Sequence, residues 1–447
     1  MAFQPDTDLK PVSPLNSGWI DHYFGIKAKN STFFRESMAG ISTFLALSYI
    51  FVVNPAILSN AGMDRSAVLF ATITTSAIAT LLMGLWARLP FVVAPGMEMN
   101  AYVAFFVIGA LGFSWQQALG IVFWSSVIMV LATIAPIREK IIDCIPDAMK
   151  VGLAFSIGVF LILIAFNISG VLVYEGVTLK SVGTLFDGKA YALLLGLALI
   201  LVFDLLRVPG SVLIAIILTS FYCHKMGMAK EVSDPVELSS RMLAAIGALD
   251  LWVLLDPKSI SVLVVLFVLD FYGSIAKFIG LTLNTNILEN GNVPRRKQAL
   301  LVDGACSTLG AALGTTSMIA YVESAVGIGM GARTGLAAVV CALLMLGCFL
   351  AAPFLHYVPI TATTGALVYV GIRLCPGLDH LRRLSAVDLL VLAIMPLCVI
   401  ATFAIDRAML AGFTVYLVSA LFAKRRVNVF LVGSVLLLAT GLVLQNI

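Results

Sequence analysis

The chain has 447 residues, of which 60% are hydrophobic and 12% are charged, its formal net charge is +4 and its mean hydropathy is +1.04. A water-soluble protein of this length needs many more polar side chains to cover its surface, so the composition excludes a soluble globular protein and indicates a polytopic membrane protein. The net charge is small, and we expect no nucleic-acid partner.

Apolar segments long enough to span a bilayer follow one another along most of the chain. Residues 1–36 form a polar N-terminal segment, and the apolar stretch after it is too long for a signal peptide, so we expect it to be a permanent span. Seven predicted spans precede a polar linker at 229–257, and seven follow it. They lie near 37–59, 67–87, 91–113, 115–136, 147–169, 190–206 and 210–228, and near 258–281, 298–314, 316–331, 334–356, 360–374, 386–405 and 408–423. A further apolar segment, 429–444, either spans the bilayer or lies at its surface.

The distribution of Lys and Arg between these spans predicts the orientation of the chain. With the N-terminus in the cytoplasm, nineteen of these residues lie on the cytoplasmic side, eight lie on the opposite side, and Lys277 lies within a span. A shift of the register by one span would reverse most of these loops. We therefore expect a multi-pass protein of the cell's inner or plasma membrane with a cytoplasmic N-terminus.

Seven spans in each half mean that the two halves insert with opposite orientations. Inverted repeats of this kind are typical of transporters, whose solute site lies near the middle of the bilayer where broken helices meet. The third predicted span contains APGMEMNAY and the tenth contains GTTSMIAYVESAVGIG, and each of them carries a Glu. We expect the third span to be interrupted at Pro95-Gly96 and the tenth near Thr315 to Ser317.

The local conformation at these breaks decides where the polar side chains point. If the chain is extended after Gly96, Glu98 and Asn100 share one face, because side chains at i and i+2 of an extended segment lie on the same side. We expect these two side chains to face a cavity, with Met97 and Met99 packed behind them. The same reasoning places Tyr321 and Glu323 together in the tenth span.

Four ionisable residues lie deep within predicted spans: Glu98, Asp270, Lys277 and Glu323. A charge at the centre of the bilayer costs roughly 2.5 to 3.5 kcal/mol, so such groups usually face a cavity or an oppositely charged partner. In the eighth span, Asp270, Ser274 and Lys277 fall at i, i+4 and i+7, on one face of a helix. These residues are candidates for function, and the alternative is an ion pair that only holds helices together.

Carboxylates, an amide and the ends of broken helices suit a neutral, planar solute that forms hydrogen bonds. Carboxylates accept from ring N–H and NH₂ groups, and an amide both donates and accepts. A carboxylate in a poorly hydrated site can also take up and release a proton, which would couple solute binding to protonation. The predicted solute-binding residues are Asn100, Glu98, Asp270, Ser274, Ser317 and Glu323, and the predicted proton-coupling residues are Asp270, Glu98 and Lys277.

The sequence predicts neither a metal site nor a cofactor. Its seven cysteines are scattered without a CxxC pair, and its four histidines fall in predicted loops or at span ends. Such cysteines are typical of small apolar residues in helices. An intramembrane hydrolase using Asp270 and Glu323 as a carboxylate pair is an alternative from another class. The motifs of such enzymes are absent from the sequence, so we expect no enzyme.

Four motifs in order resemble the AzgA-type purine permeases of the nucleobase:cation symporter superfamily. They are FRESMAGISTFLALSYIFVVNPAIL (Phe34 to Leu58), APGMEMNAY, DFYGS of the eighth span, and TTSMIAYVESAVGIGMGARTGLAAVV (Thr315 to Val340). The resemblance covers most of the chain and weakens after about Pro359.

The resemblance implies an all-α membrane protein with about fourteen spans in a seven-plus-seven inverted repeat, and short strands in broken spans three and ten. It implies a core domain at 37–136 and 258–356 and a gate domain at 147–228 and 360–447. The implied activity is proton-driven uptake of purine nucleobases such as hypoxanthine, guanine or adenine. By motif match, the implied substrate-binding residues are Asn100, Asp270 and Glu323. Gate-domain homodimers occur in the superfamily, so a homodimer is a possible assembly.

Two residues depart from the pattern of that family. It commonly has Gly at the position of Glu98 and a small or apolar residue near Lys277. Because the two new charges are opposite, we expect Glu98 and Lys277 to form an ion pair between spans three and eight. The alternative is that Lys277 extends toward the cytoplasm. The sequence does not decide which purine is preferred, or whether transport is coupled to protons or sodium. The alternative function is a carrier of anions or other small solutes with the same architecture. An anion carrier is disfavoured because the predicted site is acidic.

Overall fold

The computed structural model describes residues 18–135, 147–175, 178–184, 187–206, 208, 210–228, 240–282, 287, 293–355, 357–377, 385–422 and 429–445. Residues 1–17 of the predicted N-terminal segment and 229–239 of the predicted linker lie outside the described residues. The described residues are mainly helical and contain two short sheets of two strands each.

The first half begins with a short helix, α1 (Trp19–Phe24), and then contains the first seven predicted spans in order. They are formed by α2 (Phe33–Leu47) with α3 (Ile50–Asn60), α4 (Arg65–Leu82), β1 (Val93–Pro95) with α5 (Met97–Ala101), α6 (Trp115–Ile134), α7 (Asp147–Ile168), α8 (Gly188–Leu205) and α9 (Ser211–Lys225). Turns of π-helix extend α4 over Met83–Ala87 and α5 over Tyr102–Ile108. Between α7 and α8, β2 (Leu172–Glu175) and β3 (Thr178–Val182) form an antiparallel hairpin.

The second half begins with 3₁₀ turns at Ser240–Leu243 and Leu251–Leu255. Its spans are formed by α10 (Pro257–Thr282), α11 (Arg296–Leu313), β4 (Met318–Ala320) with α12 (Ser324–Gly329), α13 (Leu336–Leu355), a 3₁₀ turn (Ile360–Thr363) with α14 (Thr364–Arg373), α15 (Ala386–Thr402) and α16 (Ile405–Phe422). The C-terminal apolar segment is a helix, α17 (Val429–Gln445), which packs against α10 and α16.

Six helices of the described chain are long and apolar enough to cross a membrane. They are Phe33–Asn60, Arg65–Ala87, Trp115–Ile134, Val151–Ile168, Gly188–Leu205 and Leu336–Pro353. The third and tenth predicted spans do not qualify because β1 and β4 interrupt them, as the sequence predicted. Helix surfaces also carry exposed leucines, such as Leu205 (83% exposed) and Leu350 (86% exposed), which suit contact with lipid rather than water.

Local sequence signals explain where several of these helices begin. Ser114 and Gln117 form a reciprocal capping box at the start of α6. Thr32 accepts a hydrogen bond from the backbone N–H of Arg35 at the start of α2, and Asp64 has the same role at the start of α4. These caps satisfy N–H groups that have no partner within the helix.

The helices pack in two groups, and each group draws on both halves of the chain. In the first group, α4 packs against α11 and α13, and α6 packs against α10 and α11. In the second group, α7 packs against α14 and α15, and α8 packs against α9 and α14. Both groups therefore require the two halves to interleave, which is the packing that an inverted repeat produces.

Candidate functional site

The two broken spans meet at a short antiparallel sheet. β1 pairs with β4, with Val93 opposite Ala320, Ala94 opposite Ile319 and Pro95 opposite Met318. The hydrogen bonds from the N–H of Gly96 to the carbonyl of Ser317 and from the N–H of Tyr321 to the carbonyl of Val92, each 2.9 Å, extend the pairing at both ends. The sheet is completely buried, and a helix starts close behind each strand.

The predicted shared face of Glu98 and Asn100 is wrong. The extended backbone ends at Gly96, and α5 begins at Met97, so both residues lie on a helix. Side chains at i and i+2 of a helix point about 200° apart. The Pro95-Gly96 step breaks the span, but the next residues resume a helix because its internal hydrogen bonds satisfy their backbone groups away from water. Glu98 and Asn100 therefore have different surroundings.

The predicted ion pair between Glu98 and Lys277 is present. The Nζ of Lys277 lies 2.6 Å from Oε1 of Glu98, and the two side chains are 14% and 9% exposed. The same Nζ lies 5.9 Å from the ring centroid of Tyr321. Lys277 thus turns toward the sheet, and the alternative in which it extends toward the cytoplasm is wrong. This pair joins α5 of one half to α10 of the other.

Glu323, just before α12, receives a hydrogen bond from the first span. The hydroxyl of Tyr49, at the junction of α2 and α3, donates to Oε1 of Glu323 over 2.7 Å. Oε2 of Glu323 has no hydrogen-bond partner among the described residues. The hydroxyl of Tyr321 instead donates to the carbonyl of Pro95 over 2.5 Å. Tyr321 and Glu323 lie two positions apart in the chain but bond to different elements.

Glu98 and Glu323 occupy equivalent positions in the two halves. Glu98 lies five residues after Val93, the first residue of β1, and Glu323 lies five residues after Met318, the first residue of β4. Each bonds to the first span of the opposite half, through Lys277 on α10 and through Tyr49 beside α3. The inverted repeat is therefore visible in individual contacts.

The remaining predicted site residues are buried near the sheet. Asp270 (1% exposed) and Ser274 (fully buried) precede Lys277 on the continuous helix α10, which packs against β4 and α5. Oδ1 of Asn100 accepts a short hydrogen bond from the hydroxyl of Thr316. Ser317 is also fully buried. The structure thus brings all the predicted residues to the elements around β1 and β4.

Sequence reasoning missed two residues of the first span. One is Tyr49, the partner of Glu323. The other is Asn54 on α3, whose Nδ2 donates to Oγ1 of Thr72 over 2.7 Å and to Oγ1 of Thr315 over 3.0 Å. Asn54 thereby joins spans one, two and ten. The signal that could have found it is a fully buried amide in an otherwise apolar span, directly before Pro55.

Two adjoining cavities open between the two groups of helices, at the end of the molecule that the charge distribution predicts to be outside. Their volumes are about 550 and 310 Å³. Both are lined by Asn60 at the end of α3, Phe105 after α5 and Asn167 near the end of α7. Arg65 and Lys189 also line the larger cavity. Space for a small solute therefore lies between the groups.

Residues 34–405 match the model of the Permease family, Xan_ur_permease. Three of the most similar proteins are also permeases by name. The chain is 33% identical to "Putative permease MJ0326" of Methanocaldococcus jannaschii over 91% of this chain and 94% of that protein. It is 33% identical to "Adenine permease AdeP" of Escherichia coli K12 over 90% of each chain. It is 30% identical to "Guanine/hypoxanthine permease PbuG" of Bacillus subtilis 168 over 88% of this chain and 92% of that protein.

Solved structures of other transporters have the same fold. The transmembrane domain of the cyanobacterial bicarbonate transporter BicA aligns with a TM-score of 0.60 over 85% of this chain and 97% of that domain, at 13% identity. The murine anion transporter Slc26a9 aligns with a TM-score of 0.64 over 94% of this chain and 75% of that protein, at 12% identity. The fold is thus the seven-plus-seven inverted repeat of these transporters, with short strands in the broken spans.

Proposed function

The chain belongs to the Permease family, and we propose that it is a secondary transporter that takes up purine nucleobases together with protons. Members of this family are transporters and not enzymes. The observation that carries the proposal is Glu323, whose carboxylate lies at the break of the tenth span with Oε2 unpartnered among the described residues. Two relatives are named for adenine and for guanine and hypoxanthine, which are all purines.

Each site residue has a role that its chemistry suggests. Glu323 accepts a hydrogen bond from a ring N–H or NH₂ group of the base, and Tyr49 holds the other carboxylate oxygen. Asp270 accepts from a second N–H group. The Nδ2 of Asn100 orients the base, because its Oδ1 is occupied by Thr316. Hydroxyl groups of Ser274 and Ser317, both fully buried, complete the polar wall.

Protons are the coupling ions that suit buried carboxylates. Asp270 and Glu98 are the proton acceptors. Protonation of Glu98 would remove the charge that pairs with Lys277, because the two side chains are in contact. A carboxylate that is neutral while the protein reorients crosses the bilayer interior at lower cost than a charged one. Proton uptake on one side and release on the other would then drive import.

Alternating access would come from movement of one group of helices against the other. The first group is the core domain, at 37–136 and 258–356, and the second is the gate domain, at 147–228 and 360–447. The cavities beside Asn60 and Phe105 are the outer entrance. The N-terminus lies in the cytoplasm, the protein resides in the cell's inner or plasma membrane, and a homodimer would form through the gate domain.

Uptake into proteoliposomes tests this proposal. We expect a radiolabelled purine to accumulate when the interior is made more alkaline than the exterior, and to accumulate no longer in Glu323→Ala or Asp270→Ala. Asp21→Ala, which removes a partly exposed carboxylate on α1, outside the proposed site, is the matched control and retains uptake. Uptake that is unchanged in both variants contradicts the proposed site. Uptake that depends on a sodium gradient and not on the pH gradient contradicts the proposed coupling.

A competition assay tests an anion carrier as the alternative function. The positive charge of Lys277 is balanced by Glu98, and the other two charged residues of the proposed site, Asp270 and Glu323, are acidic, so these residues do not favour an anion. We expect unlabelled hypoxanthine, guanine or adenine to inhibit purine uptake, and sulfate or bicarbonate at the same concentration to leave it unchanged. Inhibition by the anions alone would favour the alternative.

A further inference from the structure

The outer edge of β1 is bonded to one hydroxyl group of α4. Oγ1 of Thr80 accepts a hydrogen bond from the N–H of Val93 and donates to the carbonyl of the same residue, each over 3.0 Å. Thr80 and Val93 are both fully buried. One side chain therefore satisfies both backbone groups of the first strand residue.

The outer edge of β4 is bonded in the same way to α11. Oγ of Ser307 accepts from the N–H of Met318 over 2.8 Å and donates to its carbonyl over 3.0 Å. The hydroxyl also lies 2.8 Å from the carbonyl of Asp303, one turn earlier on its own helix. Ser307 and Met318 are fully buried. The second half of the chain thus repeats the contact that Thr80 makes in the first.

The geometry of a two-stranded sheet explains why these contacts are needed. In an antiparallel pair, alternate residues direct their N–H and C=O groups away from the partner strand. Ala94 and Ile319 face one another, so Val93 and Met318 direct their groups outward. At this depth no water is available to satisfy them. Each hydroxyl takes the place that a further strand would fill.

Other buried hydroxyl groups behave differently. Thr43 on α2 and Ser126 on α6 donate to the carbonyl four residues earlier on their own helices. Such bonds are common for Thr and Ser in membrane helices and do not join one element to another. In the part of the chain that the structure describes, the hydrogen bonds of Thr80 run to the strand instead.

We propose that Thr80 and Ser307 are positioning residues for the solute site, an inference that rests on the proposed function. Each hydroxyl group binds both backbone groups of the first residue of a strand. Glu98 lies five residues after that position in the first half, and Glu323 lies five residues after it in the second. Loss of these hydrogen bonds lets the strand shift against its helix, and the carboxylate that follows the strand moves with it. The expected effect is weaker purine binding by a protein that still inserts and folds.

Variants without the hydroxyl group test this inference. Thr80→Val keeps the shape of the side chain and Ser307→Ala removes only the oxygen, and we expect each to raise the apparent KM for purine uptake by about tenfold or more, because small misplacements of site groups cost much of their effect. Thr80→Ser retains a hydroxyl and restores a KM near that of the unmodified protein. Thr75→Val on α4 and Ser125→Ala on α6 are controls, because these buried hydroxyls have no hydrogen-bond partner among the described residues.

Hydrogen exchange gives a second readout that does not depend on the solute. We expect faster amide exchange at 92–96 and 317–321 in Thr80→Val and Ser307→Ala, and unchanged exchange there in the two controls and in Thr80→Ser. An unchanged KM, unchanged exchange, or losses that match those of the controls would overturn the inference. If the unmodified protein transports no purine, the proposed function fails. Amide hydrogen exchange alone then decides whether the hydroxyl groups of Thr80 and Ser307 hold the strands in place.

Discussion

The ammonium group of Lys277 lies 2.6 Å from the carboxylate of Glu98, and this contact connects the first span of the second half with the third span of the first. Both side chains are mostly buried, at 14% and 9% exposure. Neither charge is easily accommodated alone at this depth, whereas the pair offsets much of the cost. Two residues that would each be costly alone are therefore compatible with a folded core.

Removal of one partner of this pair is expected to destabilise the protein, and removal of both is expected to restore much of the loss. Lys277→Met or Glu98→Gln alone leaves an uncompensated buried charge or a broken pair, at a cost of about 3 to 5 kcal/mol. The double variant is electrically neutral and recovers most of that stability. Thermal unfolding of the purified protein in detergent is the measurement.

The more exposed pair of Asp21 and Lys27 provides the control for this cycle. Their charged groups lie 3.6 Å apart and the Lys27 side chain is 46% exposed, so Lys27→Met should cost less than about 1 kcal/mol. If the double variant at Glu98 and Lys277 is no more stable than the worse of the two single variants, the pair does not account for the burial of these charges.

Tyr49→Phe is expected to weaken purine binding without unfolding the protein. The substitution leaves Oε1 of Glu323 without the hydroxyl donor that now lies 2.7 Å away. Loss of one partner of a buried polar group costs about 1 to 3 kcal/mol, which corresponds to a rise of about 5- to 160-fold in apparent KM. Initial uptake rates over a range of purine concentrations measure it.

Tyr23→Phe is the matched control for this prediction. Tyr23 lies on α1, and its hydroxyl donates to the carbonyl of Leu85 over 2.9 Å, on elements other than those that hold Tyr49 and Glu323. We expect its KM to stay within about twofold, because a partly buried hydrogen bond outside the site affects stability and not solute contacts. Equal changes in both tyrosine variants would remove the argument for a specific role of Tyr49.

Asn54→Leu is expected to destabilise the contact between the first, second and tenth spans. The substitution removes two hydrogen bonds, to Thr72 and Thr315, and leaves the Thr315 hydroxyl without that donor. We expect a loss of about 1 to 3 kcal/mol per buried group left unsatisfied. Thermal unfolding measures it, and combination with Thr315→Val should cost less than the sum of the two single losses. Strict additivity would show that the two residues do not interact.

Gly335→Ala is expected to disrupt the crossing of α4 and α13. An added Cβ at Gly335 would collide with the carbonyl of Gly84, and one at Gly84 would lie 2.6 Å from the carbonyl of Gly335. Both obstacles are backbone atoms that cannot move aside without separating the helices. We expect a lower thermal midpoint and less folded protein, in the range of about 1 to 3 kcal/mol that overpacking costs.

Gly347→Ala on α13 is the control, because nothing lies within 4 Å of a Cβ at that position. It should be neutral or slightly stabilising, since Ala favours a helix more than Gly does. A loss of stability at Gly347 equal to that at Gly335 would show that an added methyl group destabilises this segment wherever it is placed, and that the close approach to Gly84 does not control the result.

Hydrophobicity along the chain determined the number and order of the apolar segments, because the bilayer requires each span to be apolar over its whole length. Glu98 and Lys277 could be paired because both depart from the pattern of the resembling family and their charges are opposite. The Pro95-Gly96 step located one break, since a Pro followed directly by Gly disfavours continuation of a helix. These features depend on the solvent or on a few neighbouring residues, so they can be read without coordinates.

Only the tertiary structure decided what happens on the far side of each break. Glu98 and Asn100 are separated because α5 resumes directly at Met97, and the spacing of polar residues is compatible with either a strand or a helix at that point. Tyr49 meets Glu323 across 274 positions of sequence. Thr80 and Ser307 differ from other buried hydroxyls only in the strands that lie beside them. Contacts of this kind arise when two halves of opposite orientation pack together, and no local pattern encodes which side chains then come within reach.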